Sequence, residues 1–466
     1  MTNTDKAFFG HPLGLAILFF TELWERFSYY GMRAILVLFL TSQANGGYGW
    51  TNNQALDLYG WYTMLVYVMS IPGGIIADKL WGQKRTVMVG GGLLVIGHLM
   101  LAIPSKIAFF TGLAFIVLGV GGLKPNISTM VGGLYRKGDM RRDTGFTIFY
   151  IGINTGSFLA SIIVSAVGEI YGWHYGFSLA GLGMLAGQLV FIFGQKYLKG
   201  IGEEVSVQTT DSKIHTEALD DFSKNTQLSG QEKDRILAIL ISLVIVLVFW
   251  MAFEQAGGLM NLYTKQYTNR DFFGLFVIPT GVFQALNAGF IMIFGGIVAV
   301  FWDSFVRRGK HIGGIFKMGF GTMVMGTGFI FMVAAAMESE VSATGEVIRQ
   351  SSAYWLVLAY LFHTLGELCL SPVSLSFITK VSPKHMVATM MGIYWAVIGF
   401  GNKLAAEVGK YAESLGEFTV FLGLVIFPIV MGGLLVLFSN QISKLTHGTE
   451  EVNLEKTKTD NILERN

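Results

Sequence analysis

A helix needs about 20 predominantly apolar residues to cross a membrane. This chain offers twelve such runs, at about 12–41, 55–77, 86–104, 107–135, 144–168, 174–198, 232–263, 277–305, 312–337, 352–380, 387–410 and 418–439. Several are longer than a crossing needs, which implies tilt or protrusion. The pattern predicts an all-α membrane protein. Between the sixth and seventh runs, Lys199 to Lys233 is polar and mixed in charge, with Glu203, Glu204, Asp211, Asp220 and Asp221. It holds no run long enough to span. The expected organisation is a six-helix bundle over 1–198, a cytoplasmic linker over 199–231, a second six-helix bundle over 232–440, and a polar, poorly ordered cytoplasmic tail over 441–466.

Positive charge orients the spans. Loops after the second, fourth, eighth and tenth runs carry Lys79, Lys84 and Arg85; Arg136, Lys137, Arg141 and Arg142; Arg307, Arg308, Lys310 and Lys317; and Lys380 and Lys384. Loops after odd runs hold only Lys106, Lys265, Arg270, Arg349 and Lys410. Both termini are therefore expected in the cytoplasm. Residues 1–11 lack a charged leader and a small-residue cleavage site, so the first run is expected to remain as a span.

Composition agrees with this class. Of 466 residues, 52% are hydrophobic and 14% charged, against about 25% charged in a soluble domain. Net charge is +2, which by itself says nothing about nucleic acid; there is no basic tail of the kind that would bind it, so nucleic acid is not expected as a partner. A single cysteine, Cys369 in an apolar run, excludes a disulfide framework and a cysteine-based metal cluster, and reads as a small buried residue. No metal or cofactor is implied. A nucleophile elbow and an H-E-x-x-H helix are both missing, so an enzyme is not expected.

The two halves echo each other. Gly73-Gly74-Ile75-Ile76-Ala77 near the end of the second run is matched by Gly295-Gly296-Ile297-Val298-Ala299 in the eighth. Trp24-Glu25-Arg26-Phe27 has a counterpart in Phe253-Glu254-Gln255, and Leu123-Lys124-Pro125 in Leu370-Ser371-Pro372. Two related bundles with a site between them at mid-membrane is a transporter plan.

Charge inside the runs marks the candidate site. In the first run Glu22, Glu25, Arg26, Tyr29, Tyr30 and Arg33 fall at i, i+3, i+4, i+7, i+8 and i+11, one helix face. Each charge costs about 2.5–3.5 kcal/mol at a helix centre on insertion scales, so such a stripe normally faces a wet cavity. The other reading is a buried ion-pair knot that only fixes packing. Counting from the cytoplasmic ends, Glu22 and Glu25 lie 10 and 13 residues in, Lys124 lies 11 and Glu367 lies 13. At roughly 1.5 Å per residue these share one level. Arg33 and Glu254 lie 21 and 22 residues in, on parallel helices of different halves. They are expected to pair as an outer gate, unless each faces its own wet crevice. Tyr67, Tyr150, Asn154, Trp250, Gln284, Asn287, Tyr394 and Trp395 surround these levels. His98 and His363 read as hydrogen-bonded core histidines.

Two resemblances follow. The loop from Gly73 to Arg85, GGIIADKLWGQKR, is similar to the loop after the second helix in the major facilitator superfamily. ELWERFSYY, GGLKPNIS, FYIGINTGS, FWMAFEQAGG, the stretch from Phe283 to Asn287 and GELCLSP resemble, in order, motifs of the proton-dependent oligopeptide transporters. This resemblance implies the major facilitator fold, the bacterial inner membrane, and proton-coupled symport of di- and tripeptides by alternating access. By it, Glu22, Glu25, Arg26 and Lys124 couple protons. Arg33 and Lys124 meet the peptide carboxyl end and Glu367 the amine, while Tyr29, Tyr30, Tyr67, Tyr150, Asn154, Trp250, Asn287, Ser371 and Tyr394 line the pocket. The linker has no room for the two extra helices of many bacterial members. The second run has no histidine such as animal members carry, which puts more of the coupling on the acids of the first. A carrier of nitrate, or an exporter of cationic drugs, is the alternative on the same fold.

Overall fold

The computed structural model describes residues 8–449 except 136–138, 140, 204–227, 309, 311, 343, 345, 384 and 385. Most of the linker, the tail from 450, and Arg136, Lys137 and Lys384 of the basic loops therefore lie outside the described residues. The long helices are α1 (Leu13–Thr41), α2 (Asn52–Val68, continued by Ser70–Ile76), α3 (Gly82–Leu101), α4 (Lys106–Gly133), α5 (Arg141–Tyr171) and α6 (Trp173–Gly194). The second half has α7 (Gly230–Phe253, continued after a break by Leu259–Tyr267), α8 (Ala285–Arg307), α9 (Gly314–Glu338), α10 (Ala353–Val381), α11 (Val387–Lys410) and α12 (Glu417–Leu437). Among the described residues, nine helical stretches are long and apolar enough to cross a membrane, and one of them, Asn52–Leu101, contains both α2 and α3. The chain is a multi-pass, all-α membrane protein. Below, the near side is where α1 begins and the far side where it ends.

Local chemistry explains the helix ends. Thr51 and Gln54 form a capping box that starts α2, and Ser229 and Glu232 form another that starts α7. Each satisfies two backbone N–H groups that the first turn leaves free. Between α5 and α6 the chain reverses at Gly172, whose φ of +129° is open to glycine and strained for other residues.

Buried apolar side chains form two clusters. One is built almost wholly from α1–α6, the other from α7–α12, and Tyr67 packs against both. Glycines set the close crossings inside each half. A Cβ on Gly90 or Gly119 would strike the other's carbonyl oxygen where α3 meets α4. Gly321 and Gly366 stand in the same relation where α9 meets α10. Small residues let helix backbones approach in membranes, where apolar burial gives no drive for association. Across the halves, α2 lies along α11 and α5 along α8.

Two expectations are corrected. The seventh run, 232–263, is not one helix. It breaks at the 3₁₀ turn Glu254–Ala256 and resumes at Leu259; Gly258 leaves helical geometry at φ −103° and ψ −105°, and Tyr59 and Arg33 fill the place where a Cβ on Gly257 would sit. Nor does order end at Asn440. Helix Ser439–Lys444 follows α12, Ile442 packs into the second cluster, and His447 Nε2 lies 2.8 Å from Asp234 Oδ2 at the start of α7.

Candidate functional site

The acid pair on α1 shares one guanidinium. Arg26 Nε donates to Glu22 Oε1 at 2.8 Å and stands 2.7 Å from Glu25 Oε2. Its single N–H goes to Glu22, so Glu25 makes a close charge contact without a hydrogen bond. Glu22, Glu25 and Arg26 are all buried. The i, i+3, i+4 spacing brings them to one face, and Glu22 Oε2 and Glu25 Oε1 are left without hydrogen bonds. Two acids against one arginine leave this cluster ready to take a further positive charge. Lys124 is within electrostatic reach of both acids. Its ammonium, however, sits 3.7 Å from the centroid of the Tyr67 ring and 5.2 Å from that of Trp395. Among the described residues no carboxylate lies within ion-pair distance of it.

Toward the far side, α1 meets the break in α7. Arg33 Nη2 is 3.0 Å from Glu254 Oε1. Tyr59 of α2 stands between them, accepting from Arg33 Nε at 2.8 Å and donating to Glu254 Oε1 at 2.5 Å. Tyr59 has no counterpart among the sequence candidates. A lone tyrosine in an apolar run gives no signal beyond packing. A second tie across the halves was also missed. Lys403 and Lys410 of α11 place their ammonium groups 2.6 and 3.1 Å from Asp57 Oδ1 of α2, and both also hold Glu407. Opposite charges at the far ends of two runs were its signal.

Between these two levels lies a cavity of about 150 Å³. Tyr30, Arg33, Tyr67, Tyr150, Asn154, Trp250, Gln284, Asn287 and Glu367 are on its wall, together with Tyr360 and Ser161, which the sequence did not suggest. The acid and the base come from opposite halves, Glu367 on α10 and Arg33 on α1. Asn287 Nδ2 donates to Glu367 Oε2 at 2.8 Å. Trp250 Nε1 has no hydrogen-bond partner and is a free donor. Tyr150 is 46% exposed on that wall.

Four candidates stand off the wall in this conformation. Lys124 is held over Tyr67, and Tyr29 packs edge-on to Tyr30 with centroids 5.5 Å apart. The Tyr394 hydroxyl is turned to Ser374 Oγ at 3.1 Å. Ser371 Oγ is buried without a partner. His98 and His363 are buried as expected but not hydrogen-bonded, since both nitrogens of each ring are unpartnered. His363 is held by packing, 4.4 Å from the Phe329 centroid.

The sequence and fold of the chain match a known group of proteins. The family model described as POT family matches residues 84–233 and 210–414. The chain is 34% identical to the peptide transporter YePEPT of Yersinia enterocolitica, covering 96% of this chain and 98% of that one. It is 34% identical to a di-/tripeptide transporter of Lactococcus lactis subsp. lactis, again over 96% and 98%. Among solved structures, a peptide transporter POT in complex with sulfate superposes with a TM-score of 0.85 at 33% identity, over 95% of this chain and 97% of that one. A POT family transporter in complex with a thioalcohol-conjugated peptide gives 0.83 at 28%, over 94% and 98%. The fold is that of the major facilitators, and the chain belongs to the POT family.

Proposed function

We propose that this chain carries di- and tripeptides across the membrane together with protons, by alternating access. The observation that carries the reading is the cavity with Glu367 on one half and Arg33 on the other. A peptide is a zwitterion whose ends need an acid and a base. Its backbone amides are common to all sequences, so Trp250, Asn287, Asn154 and the tyrosines can bond them without reading side chains, and broad selectivity follows. Sites that are mostly apolar with a few placed polar groups bind in this way. One relative named as a peptide transporter and another named as a di-/tripeptide transporter support the substrate class.

In this reading Glu22, Glu25, Arg26 and Lys124 couple protons. A proton arriving on Glu25 cancels one charge of a cluster that holds two acids and one arginine, which weakens the pull of that cluster on Lys124. Arg33, Glu254 and Tyr59 act as the far-side gate, closed here. The near side is the cytoplasm, which the excess of Lys and Arg in the loops there supports. The halves 1–198 and 232–440 then rock about the site.

Competition binding tests the substrate. A free dipeptide should displace a labelled dipeptide from the purified protein, while nitrate and a cationic drug should not. Displacement by nitrate or the drug alone would reject the assignment.

A further inference from the structure

The link from α7 to α8 carries a two-stranded hairpin, Asp271–Phe272 against Phe276–Val277. Its apolar side chains lie outside the protein. Phe272, Phe273, Leu275 and Phe276 are 42%, 87%, 76% and 56% exposed.

The turn carries a residue its backbone disfavours. It closes with Leu275 N–H donated to Phe272 O at 3.0 Å, and φ is +54° at Phe273 and +74° at Gly274. Left-handed backbone in a hairpin turn favours Gly, Asn or Asp. Gly274 fits and Phe273 does not. A bulky ring set against the local preference, away from the core, gains in water only its edge contact with Phe272, at 5.0 Å between centroids. With 87% of its surface still exposed, it gains more if something apolar lies beyond the protein.

The height of the hairpin identifies what that is. At its base, Arg270 Nη1 lies 3.7 Å from Glu169 Oε2, and Gly281 N–H, just after it, donates to Glu169 Oε1 at 2.9 Å. Glu169 is in the last turn of α5, which ends at Tyr171. Tyr171 is 71% exposed, and Tyr175, Tyr354 and Tyr411 at the far ends of α6, α10 and α11 are likewise exposed. Exposed aromatic rings at the ends of several membrane helices mark the boundary between water and lipid. The hairpin base is pinned at that boundary, and the next helix, α8, leaves the apolar side chains of Ile293 and Ile297 62% and 60% exposed.

We propose that Phe272, Phe273 and Phe276 seat in the headgroup-to-acyl boundary of the far-side leaflet, so that the hairpin anchors the ends of α7 and α8 to the membrane surface. Because Arg270 also ties this hairpin to α5, the anchor holds a segment that bridges the two halves.

The test uses the full chain in phosphatidylcholine–phosphatidylglycerol vesicles. The one cysteine, Cys369, is buried and is replaced by serine. A nitroxide is then attached at Leu275→Cys, which keeps all three phenylalanines. A second label at Thr344→Cys reports the other far-side hairpin, Glu340–Val341 against Val347–Arg349, which is flanked by charge. Collision rates with oxygen and with a water-soluble nickel complex are compared. The logarithm of the oxygen-to-nickel ratio should be positive at 275 and negative at 344, and adding Phe273→Asp should lower it at 275. A negative value at 275 would mean that the tip stands in water and would overturn the proposal. Exclusion of both reagents at 275 would mean that protein, such as a second copy of the chain, covers the tip, and would overturn it too.

Discussion

Arg33 Nη2 stands 3.0 Å from Glu254 Oε1, joining the two halves of the molecule where α7 is broken. Tyr59 bonds to both partners and comes from a third helix. In the proposed cycle this cluster forms when the cavity is shut on the far side and separates when it opens there. A contact made in one state only biases a population rather than supporting the fold.

Glu254→Gln keeps the shape and removes the charge. Breaking one partner of a buried pair costs about 3–5 kcal/mol, less where water can enter. The variant is expected to raise labelling of far-side cysteines placed near Tyr263 and to slow transport. The swap of Arg33→Glu with Glu254→Arg should restore part of the closure but not peptide binding. Wild-type labelling and transport in Glu254→Gln would mean that the pair is structural.

Tyr59→Phe probes the bridge alone. Removing one hydroxyl from a buried network leaves two groups short of a bond, at about 1–3 kcal/mol. The same cysteines should label faster than in the wild type and more slowly than in Glu254→Gln. Labelling equal to the wild type would show that the hydroxyl contributes nothing to closure.

This cluster also shows what the chain revealed before its structure. Arg33 and Glu254 share a depth because both helices run the same way with a rise of about 1.5 Å per residue, and counting suffices for that. The stripe from Glu22 to Arg33 follows from helical period alone. Tyr59 could not be found so, because its role depends on the rotation of α2, and its type is the same as that of a packing residue. The break in α7 had a signal in Gly257-Gly258, but glycines are frequent in membrane helices. Lys124 was placed at the right level, yet its preference for the Tyr67 ring over an acid depends on side-chain direction.

The acids of α1 give a further prediction. Glu22→Gln or Glu25→Gln is expected to abolish peptide accumulation driven by a proton gradient while leaving counterflow exchange measurable. Exchange needs the alternation of the site but no net proton movement. Full accumulation by both variants would remove these acids from coupling.

The ends of the peptide can be tested without mutation. Acetylating the amine should weaken binding through Glu367, and amidating the carboxyl should weaken it through Arg33 or Lys124. Each lost charge-assisted bond contributes about 1.5–3 kcal/mol, or roughly 10- to 150-fold. Glu367→Gln should then lose most of its discrimination between free and acetylated peptide. Equal affinity for free and blocked dipeptides would reject the assignment of both poles.

The most direct measurement is uptake of a radiolabelled dipeptide by liposomes containing the purified chain. With an inward proton gradient imposed, the peptide should rise inside above its outside concentration. With the gradient collapsed by a protonophore, it should only equilibrate. Accumulation that is indifferent to the protonophore, or no uptake of any free dipeptide while nitrate or a cationic drug moves, would contradict the account.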